Sequence, residues 1–468
     1  MDDEVEKKVR CCKNMRKYFG TDGIRRIANT ELTPELVYKV AKAGAYVLSK
    51  HTDHTPTILI GRDTRISGTL IESAMVAGFL SFGANVKLLG VLPTPAVAYL
   101  TRKRNADASV VISASHNTYE FNGIKFFSNK GMKIPDTLEE EIEEVMDSGK
   151  WNELTATNDK IGVSEYALDL IEEYVYFFRK CFDDVIEKNK REDFVVGIDT
   201  ANGATSVVAE KVFKALGINY KMINNHPDGI NINQNCGSTH LEGLRKYVLD
   251  NQLSLGIAYD GDGDRCLAID EKGNEIDGDK LLAIISNNMR EKGQLHQDTI
   301  VATVMSNLGL NKYAEKNGLN LLQTSVGDRY VLEKMLKEGY NLGGEQSGHI
   351  ILLDYNPTGD GILTSLMLVK AILETQKKAS ELGDRVKLYP QILVNAKVNS
   401  DKKYDYDKDD EIKKAIQQLE KEFAGNGRVL IRPSGTEPLV RVMIEGEDQE
   451  YITQKAQQLA QFIEKKLK

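Results

Sequence analysis

Cysteine is scarce in this chain, five residues in 468, and none of the five forms a CxxC pair. An odd and scattered set argues against a disulfide scaffold and for reduced thiols. Cys11 and Cys12 stand in a charged leader, and Cys236 and Cys266, which lie beside polar loops, are read as small space-filling residues. No apolar run approaches the roughly 18 residues that a spanning helix needs. The opening MDDEVEKKVR has no hydrophobic core of a secretion signal, so the expectation is a cytoplasmic protein without a membrane partner. Positive charge is not in excess, with 61 Lys and Arg against 69 Asp and Glu and a net charge of −8. That balance disfavours a nucleic-acid binder while leaving local cations free to hold phosphate. Low-complexity tracts and short repeats are missing too, as is the GxSxG elbow of a serine hydrolase.

What is present describes an ordinary globular chain, 41% hydrophobic and 28% charged, long enough for about three domains. Strand and helix patterns alternate, which predicts α/β layers with several sheets. TILI, NVKLL and SVVISA read as strands, with a helix opening near Ser67. FVVGIDT at 194 starts a second segment, and TIVATV at 299 belongs to a third that ends near DGILTSLMLVKAILETQ. SDKKYDYDKDDEIK at 400 to 413 is the clearest shift in composition and predicts a solvated loop leading into a helix. In the last helix Ile452, Ala456, Leu459, Ala460, Ile463 and Leu467 follow helical spacing and predict one buried stripe.

Two strands aim at chemistry. ASVVISASHN delivers Ser115 and His116 at the end of an apolar run, followed by NGIK with Lys125. The strand LGIAY delivers DGDGDR, in which Asp260, Asp262 and Asp264 alternate with Gly261 and Gly263. Period-two geometry can turn the three carboxylates to one side, and such hard oxygen donors favour Mg²⁺. Glu271 falls at the twelfth position of an EF-hand count from Asp260, but the sixth is Arg265 where a calcium loop needs glycine. Ser115 alone reads as well as a turn residue; its neighbours favour a nucleophile, with His116 a proton shuttle and Asn117 and Asn122 holding the loop.

Three further loops carry polar side chains suited to binding. GEQSGHI presents Glu345, Ser347 and His349 at alternate positions, a row suited to the hydroxyls of a polyol. RPSGTEP combines Arg432 with backbone N–H groups around Gly435 and the hydroxyls of Ser434 and Thr436, which is phosphate chemistry. FGTDGIRR places Arg25 after a glycine-rich turn. For GRDTRISG the simpler reading is that Asp63, Arg62 and Arg65 brace a strand-to-helix loop. Charge counting links these loops: three aspartates at about −3, a phosphoserine at about −2 and Mg²⁺ at about +2 leave roughly −3 for Arg25, Lys125 and Arg265 to offset.

From Lys17 onward the chain resembles the α-D-phosphohexomutase superfamily through KYFGTDGIR, GRDTRISG, ISASHN with NGIKFFS, DGININ with NCGSTH, DGDGDR, VGDRYV, GEQSGHI with TGDG, and RPSGTEPLVRVM. The resemblance implies a multidomain α/β fold with three related mixed-sheet α/β/α domains and a smaller α+β C-terminal domain around a central cleft. The expected bounds are 1–165, 166–273, 274–388 and 389–468. It implies that Ser115 carries phosphate and that Asp260, Asp262 and Asp264 hold one Mg²⁺ together with Ser115. Arg25, His116, Lys125 and Arg265 are then catalytic, with His116 and Lys125 the candidates for proton transfer. Gly327, Asp328, Glu345, Ser347, His349, Arg432, Ser434, Gly435, Thr436 and Arg441 bind substrate.

The glutamine of GEQSGH points within the superfamily to glucosamine phosphates, with a sugar 1,6-bisphosphate as intermediate and a role in supplying cell-wall precursors. Mannose and glucose phosphates are the runner-up substrates, and a metal-dependent phosphatase or a non-catalytic phosphosugar sensor the remoter alternatives. A homodimer stays open. Two positions depart from the family pattern: Arg26, where a small residue is usual, and Thr118, where proline follows SHN. The first places a bulky cation beside Arg25, and the second removes a fixed backbone angle next to Ser115.

Overall fold

Four β-sheets organise the chain in the computed structural model, which describes residues 17–20, 22–50, 52–434 and 437–468. The first sheet has six strands in the order β1 (Ile24–Ile27), β5 (Phe121–Ser128), β4 (Ala108–Ile112), β2 (Thr57–Arg62), β3 (Asn85–Val91), β6 (Ser164–Tyr166). The second runs β11 (Glu275–Ile276), β10 (Cys266–Asp270), β9 (Leu255–Tyr259), β7 (Val195–Asp199), β8 (Asn219–Ile223). The third runs β13 (Asn320–Thr324), β12 (Thr299–Thr303), β14 (Leu342–Gly344), β15 (Ile350–Leu352). The strands expected at TILI, NVKLL, SVVISA, FVVGIDT and TIVATV are all present.

One topology recurs three times. In each of these sheets a strand pairs in parallel with the next two strands in the chain, and the second of those then folds back as an antiparallel hairpin. The three hairpins are β4–β5, β9–β10 and β14–β15, and their tips carry Ser115, the three aspartates and Glu345. Central strands such as β4 and β9 are buried along their whole length, because helices cover both faces and leave no side for water. The helix expected near Ser67 spans Gly68–Phe82, and DGILTSLMLVKAILETQ forms the buried helix Gly361–Thr375, where the Asp360 carboxylate accepts from Leu363 N–H and caps the first turn.

Packing sorts the chain into two compact units, the segment up to Met305 with Asn320–Asp384, and Ser306–Leu319 with Arg385–Lys468. The second unit holds an antiparallel sheet in the order β16 (Gln391–Lys397), β18 (Leu439–Gly446), β17 (Gly427–Pro433). The helices Asp410–Phe423 and Gln449–Leu467 accompany it. All six residues of the expected stripe on the last helix are buried in the core of this unit. Among the described residues no helix is long and apolar enough to cross a membrane.

Candidate active site

Ser115 sits just past β4 with its hydroxyl donating to Asp260 Oδ2 at 2.6 Å, across 145 positions of sequence. The residue is 2% exposed and has φ of 50°, a left-handed conformation uncommon outside glycine. Buried side chains hold that backbone in place. Arg65 donates from Nη2 to the carbonyls of Ser115 at 3.0 Å and Asn117 at 2.8 Å, and from Nη1 to those of Thr118 and Phe121. Asn233 Nδ2 donates to the Ser115 and Asn117 carbonyls, each at 2.8 Å. Asp63 fixes Arg65 through Nε at 2.9 Å and accepts from Ser113, whose Oγ accepts the Ser115 N–H. The expected brace is therefore real, and what it braces is the serine loop itself. That grip answers the absence of proline at 118, since the Thr118 carbonyl is clamped by Arg65.

The acidic residues lie on the tip between β9 and β10, where Gly263 N–H bonds the Asp260 carbonyl and turns the chain. Gly261 is required by close approach, because a Cβ there would stand 2.5 Å from the Ser115 carbonyl oxygen. Asp262 Oδ2 accepts from Thr94 Oγ1 at 2.7 Å and Lys125 Nζ at 2.9 Å. Asp260 Oδ1 takes the Arg265 N–H at 3.1 Å.

Two oxygens of the trio, Asp262 Oδ1 and Asp264 Oδ1, are buried without a hydrogen-bond partner. Ligand atoms of all three carboxylates lie within 4.8 Å of one another. Burial, then Asp264 and Asp262, pushes Asp260 well above the usual carboxylate range. Against its own burial, Lys125, His349 and Arg265 hold Asp264 well below it. Crowded oxygens with so divided a titration, two of them orphaned, fit a divalent cation of the Mg²⁺ kind.

Cations surround the trio. Lys125 on β5 is 2% exposed and lies 2.9 Å from Asp262, 3.1 Å from Asp22 and 3.7 Å from Asp264. Burial alone would lower its pKa, but these carboxylates outweigh burial and hold the ammonium well above the ordinary lysine value. Arg25 donates to Asp22 at 2.9 Å and to Asn117 Oδ1 at 3.0 Å. His116 places Nδ1 3.3 Å from Ser115 Oγ, and burial, with Arg265 and Arg25 close by, pushes its pKa down to about 4. At neutral pH its ring is uncharged.

Arg26 does not crowd this group. Its Nη2 donates to the Lys17 carbonyl at 2.7 Å and its guanidinium lies 6.0 Å from the Tyr18 ring centroid, while Arg25 turns to Asp22 and Asn117. Successive residues of a strand point to opposite faces, and the pair obeys that rule.

The tip between β14 and β15 corrects one expectation. Glu345, Ser347 and His349 do not form a single row, because Gly348 N–H bonds the Glu345 carbonyl and the chain turns between Ser347 and His349. His349 is 3% exposed and lies behind the acidic loop. Its Nε2 accepts from Gly359 N–H at 3.0 Å, which leaves Nδ1 as the N–H directed at Asp264 Oδ2, 3.6 Å away. The His349 ring thus stands beside the Asp264 carboxylate, out of line with Glu345 and Ser347. Glu345 Oε1 accepts from Gly327 N–H at 3.2 Å, and Ser347 Oγ is buried and unpartnered. Asp328 is engaged with Lys133 at 2.6 Å and lies 3.5 Å from His349.

In the other unit, the β17–β18 hairpin carries RPSGTEP. Arg432 and Arg441 stand directly opposite each other across the ladder, and burial followed by Arg441 lowers the Arg432 pKa. Like charges facing across strands are destabilising without an anion between them. Ser434 is 3% exposed and its carbonyl accepts from Lys403 Nζ at 2.9 Å. Gly435 and Thr436, expected in the same loop, lie outside the described residues.

Sequence reasoning gave no role to Asp22, Lys133, Thr94 or Asn233. Asp22 and Asn233 lie inside motifs already singled out, FGTDGIRR and DGININ, but apart from Arg25, three positions from Asp22, the partners that give them a role stand more than a hundred positions away.

Family models match the chain in series. These are phosphoglucomutase/phosphomannomutase alpha/beta/alpha domain I over residues 16–153, domain II over 172–273, domain III over 277–389 and the C-terminal domain over 393–462. The chain belongs to the phosphoglucomutase/phosphomannomutase family of phosphohexomutases. Within it, the chain is 53% identical over 453 residues to a phosphoglucosamine mutase of Ruminiclostridium cellulolyticum, covering 97% of this chain and 100% of that one. It is also 53% identical over 452 residues to a phosphoglucosamine mutase of Clostridium acetobutylicum, with the same coverage.

Among solved structures, a phosphoglucomutase/phosphomannomutase family protein from Burkholderia thailandensis superposes with a TM-score of 0.77 at 21% identity, covering 95% of this chain and 97% of that one. An N-acetylphosphoglucosamine mutase of Aspergillus fumigatus, solved with GlcNAc-6P and magnesium, gives 0.62 at 16% identity and covers 97% of each chain. Both likenesses concern the fold.

Proposed function

We propose that this chain interconverts glucosamine 6-phosphate and glucosamine 1-phosphate in the cytoplasm, by way of a phosphorylated Ser115 and a glucosamine 1,6-bisphosphate. The observation that carries the reading is the 2.6 Å contact between the Ser115 hydroxyl and an aspartate of a buried trio, in a chain whose relatives at 53% identity are phosphoglucosamine mutases.

Asp260, Asp262 and Asp264 would hold the divalent ion, which when bound neutralises charge on phosphoryl oxygens. The chain's own residues do the rest. In one half-reaction the bond from phosphorus to Ser115 Oγ breaks as a bond to O1 of glucosamine 6-phosphate forms. The O1 proton leaves and Oγ regains one. The neutral His116 ring, 3.3 Å from Oγ, is placed to mediate that exchange. Lys125, held as an ammonium, donates and does not serve as base. With Arg25 and Arg265 it steadies the charge that spreads over the transferring group. The bisphosphate then presents its 6-phosphate to Ser115 and glucosamine 1-phosphate leaves. Glu345 and Ser347 take sugar hydroxyls, and Arg432, Ser434, Gly435, Thr436 and Arg441 take a phosphate.

Phosphorus NMR separates this reading from its rivals. The phosphorylated protein, given glucosamine 6-phosphate with Mg²⁺, is expected to build up the glucosamine 1-phosphate resonance without free phosphate. It should do so faster than it converts glucose or mannose 6-phosphate. Accumulation of inorganic phosphate in step with substrate loss would identify a phosphatase instead.

A further inference from the structure

The start of the helix Gly278–Glu291 packs against the sugar hairpin at Gln346. Gly278 N–H donates to the Gln346 carbonyl at 3.0 Å, and a Cβ at Gly278 would stand 2.1 Å from the Glu345 carbonyl oxygen. Asp277, 6% exposed, caps this helix by accepting the Lys280 N–H on Oδ1 at 3.0 Å. Its second oxygen, Oδ2, accepts from Gln346 Nε2 at 3.3 Å. Both the backbone and the side chain of Gln346 are therefore tied to one helix start. A carboxylate can only accept, so the Gln346 atom facing it is the amide nitrogen, and the carbonyl Oε1 is turned the other way. Among the described residues Oε1 takes no hydrogen bond.

We infer that Asp277 is a positioning residue for substrate choice: it fixes the Gln346 amide so that its carbonyl, and not its NH₂, is offered to the group on C2 of the sugar. This rests on the amino-sugar reading above. An aminohexose carries at C2 an amino group that, when protonated, has three donors and no acceptor, whereas the hydroxyl of glucose both donates and accepts. A carbonyl fixed toward it serves the ammonium. An NH₂ in the same place opposes the ammonium and still serves the hydroxyl, so the orientation of one amide separates the two substrates.

Four variants test this. Asp277→Asn keeps a side chain that caps the helix as well as aspartate does. Its oxygen takes the Lys280 N–H, which leaves its NH₂ facing Gln346, and only Gln346 Oε1 can then accept. The amide turns over. Kinetics with glucosamine 6-phosphate and glucose 6-phosphate should show the ratio of their kcat/KM values falling about tenfold or more in Asp277→Asn, chiefly through the KM of the amino sugar, at an unchanged melting temperature.

Asp277→Ser caps the helix but cannot reach Gln346, and should lose less of the ratio. Combining Asp277→Asn with Gln346→Met should cost no more of the ratio than Gln346→Met alone, because both act through one amide. An unchanged ratio in Asp277→Asn, or additive losses in the double variant, would overturn the inference. If the parent protein fails to convert glucosamine 6-phosphate at all, the amino-sugar reading falls, and this inference with it.

Discussion

Ser115→Ala is expected to abolish interconversion of the two glucosamine monophosphates, lowering kcat by at least about 10⁴-fold, because it deletes the proposed phosphoryl carrier. Ser115 Oγ is buried, bonded to Asp260 and flanked by a neutral imidazole. Alanine removes the hydroxyl bonded to Asp260 and disturbs little else. Its stability cost is that of a single lost hydrogen bond, about 1 kcal/mol. Activity and stability should therefore separate in this variant, with turnover gone and the melting transition nearly in place. Residual turnover within about tenfold of the parent, measured with the bisphosphate supplied, would move the catalytic centre elsewhere.

Arg65→Met is expected to have the largest effect on stability, about 3–5 kcal/mol, since it breaks a fully buried ion pair and strands what the guanidinium held. Asp63 would keep Ser113 and the Arg65 N–H as partners but no cation, and the Ser115, Asn117, Thr118 and Phe121 carbonyls would each lose a donor. The left-handed backbone at Ser115 depends on that grip, so activity should fall together with the denaturation midpoint. Arg65→Lys restores the charge but not the planar fork and should recover less than half of the loss. A cost below about 1 kcal/mol in Arg65→Met, read by urea unfolding, would show that the serine loop holds itself.

What the sequence disclosed and what it hid follow a physical division. Local periodicity reports local structure, and it placed the strands before Ser115 and Asp260 and all six buried positions of the last helix. The catalytic candidates were legible because glycine-rich and acidic loops have few other uses at strand ends. The threefold recurrence of one strand order was legible only through the family resemblance, which implied three related domains, and not from local pattern, since topology is set by pairings between distant segments and the three hairpin tips share almost no residues.

His349 shows a limit of alternation, because period two holds only along an uninterrupted strand and the hairpin turn at Gly348 separates it from Glu345 and Ser347. Arg65 shows the opposite case. Bracing was the plainer of its two readings and it is what the residue does, but the braced loop lies fifty positions on and only the folded chain brings it within reach. Asp22 has the same cause. It meets Lys125 and Lys133 only because β1 and β5 pair in antiparallel register.

The central claim is that Ser115 carries the phosphoryl group, and mass spectrometry of peptides tests it most directly. After incubation with Mg²⁺ and a hexose 1,6-bisphosphate, the intact protein should gain about 80 Da, and digestion should place that gain on the peptide containing Ser115. A phosphoryl group recovered on any other residue, with the Ser115 peptide unmodified, would contradict the account.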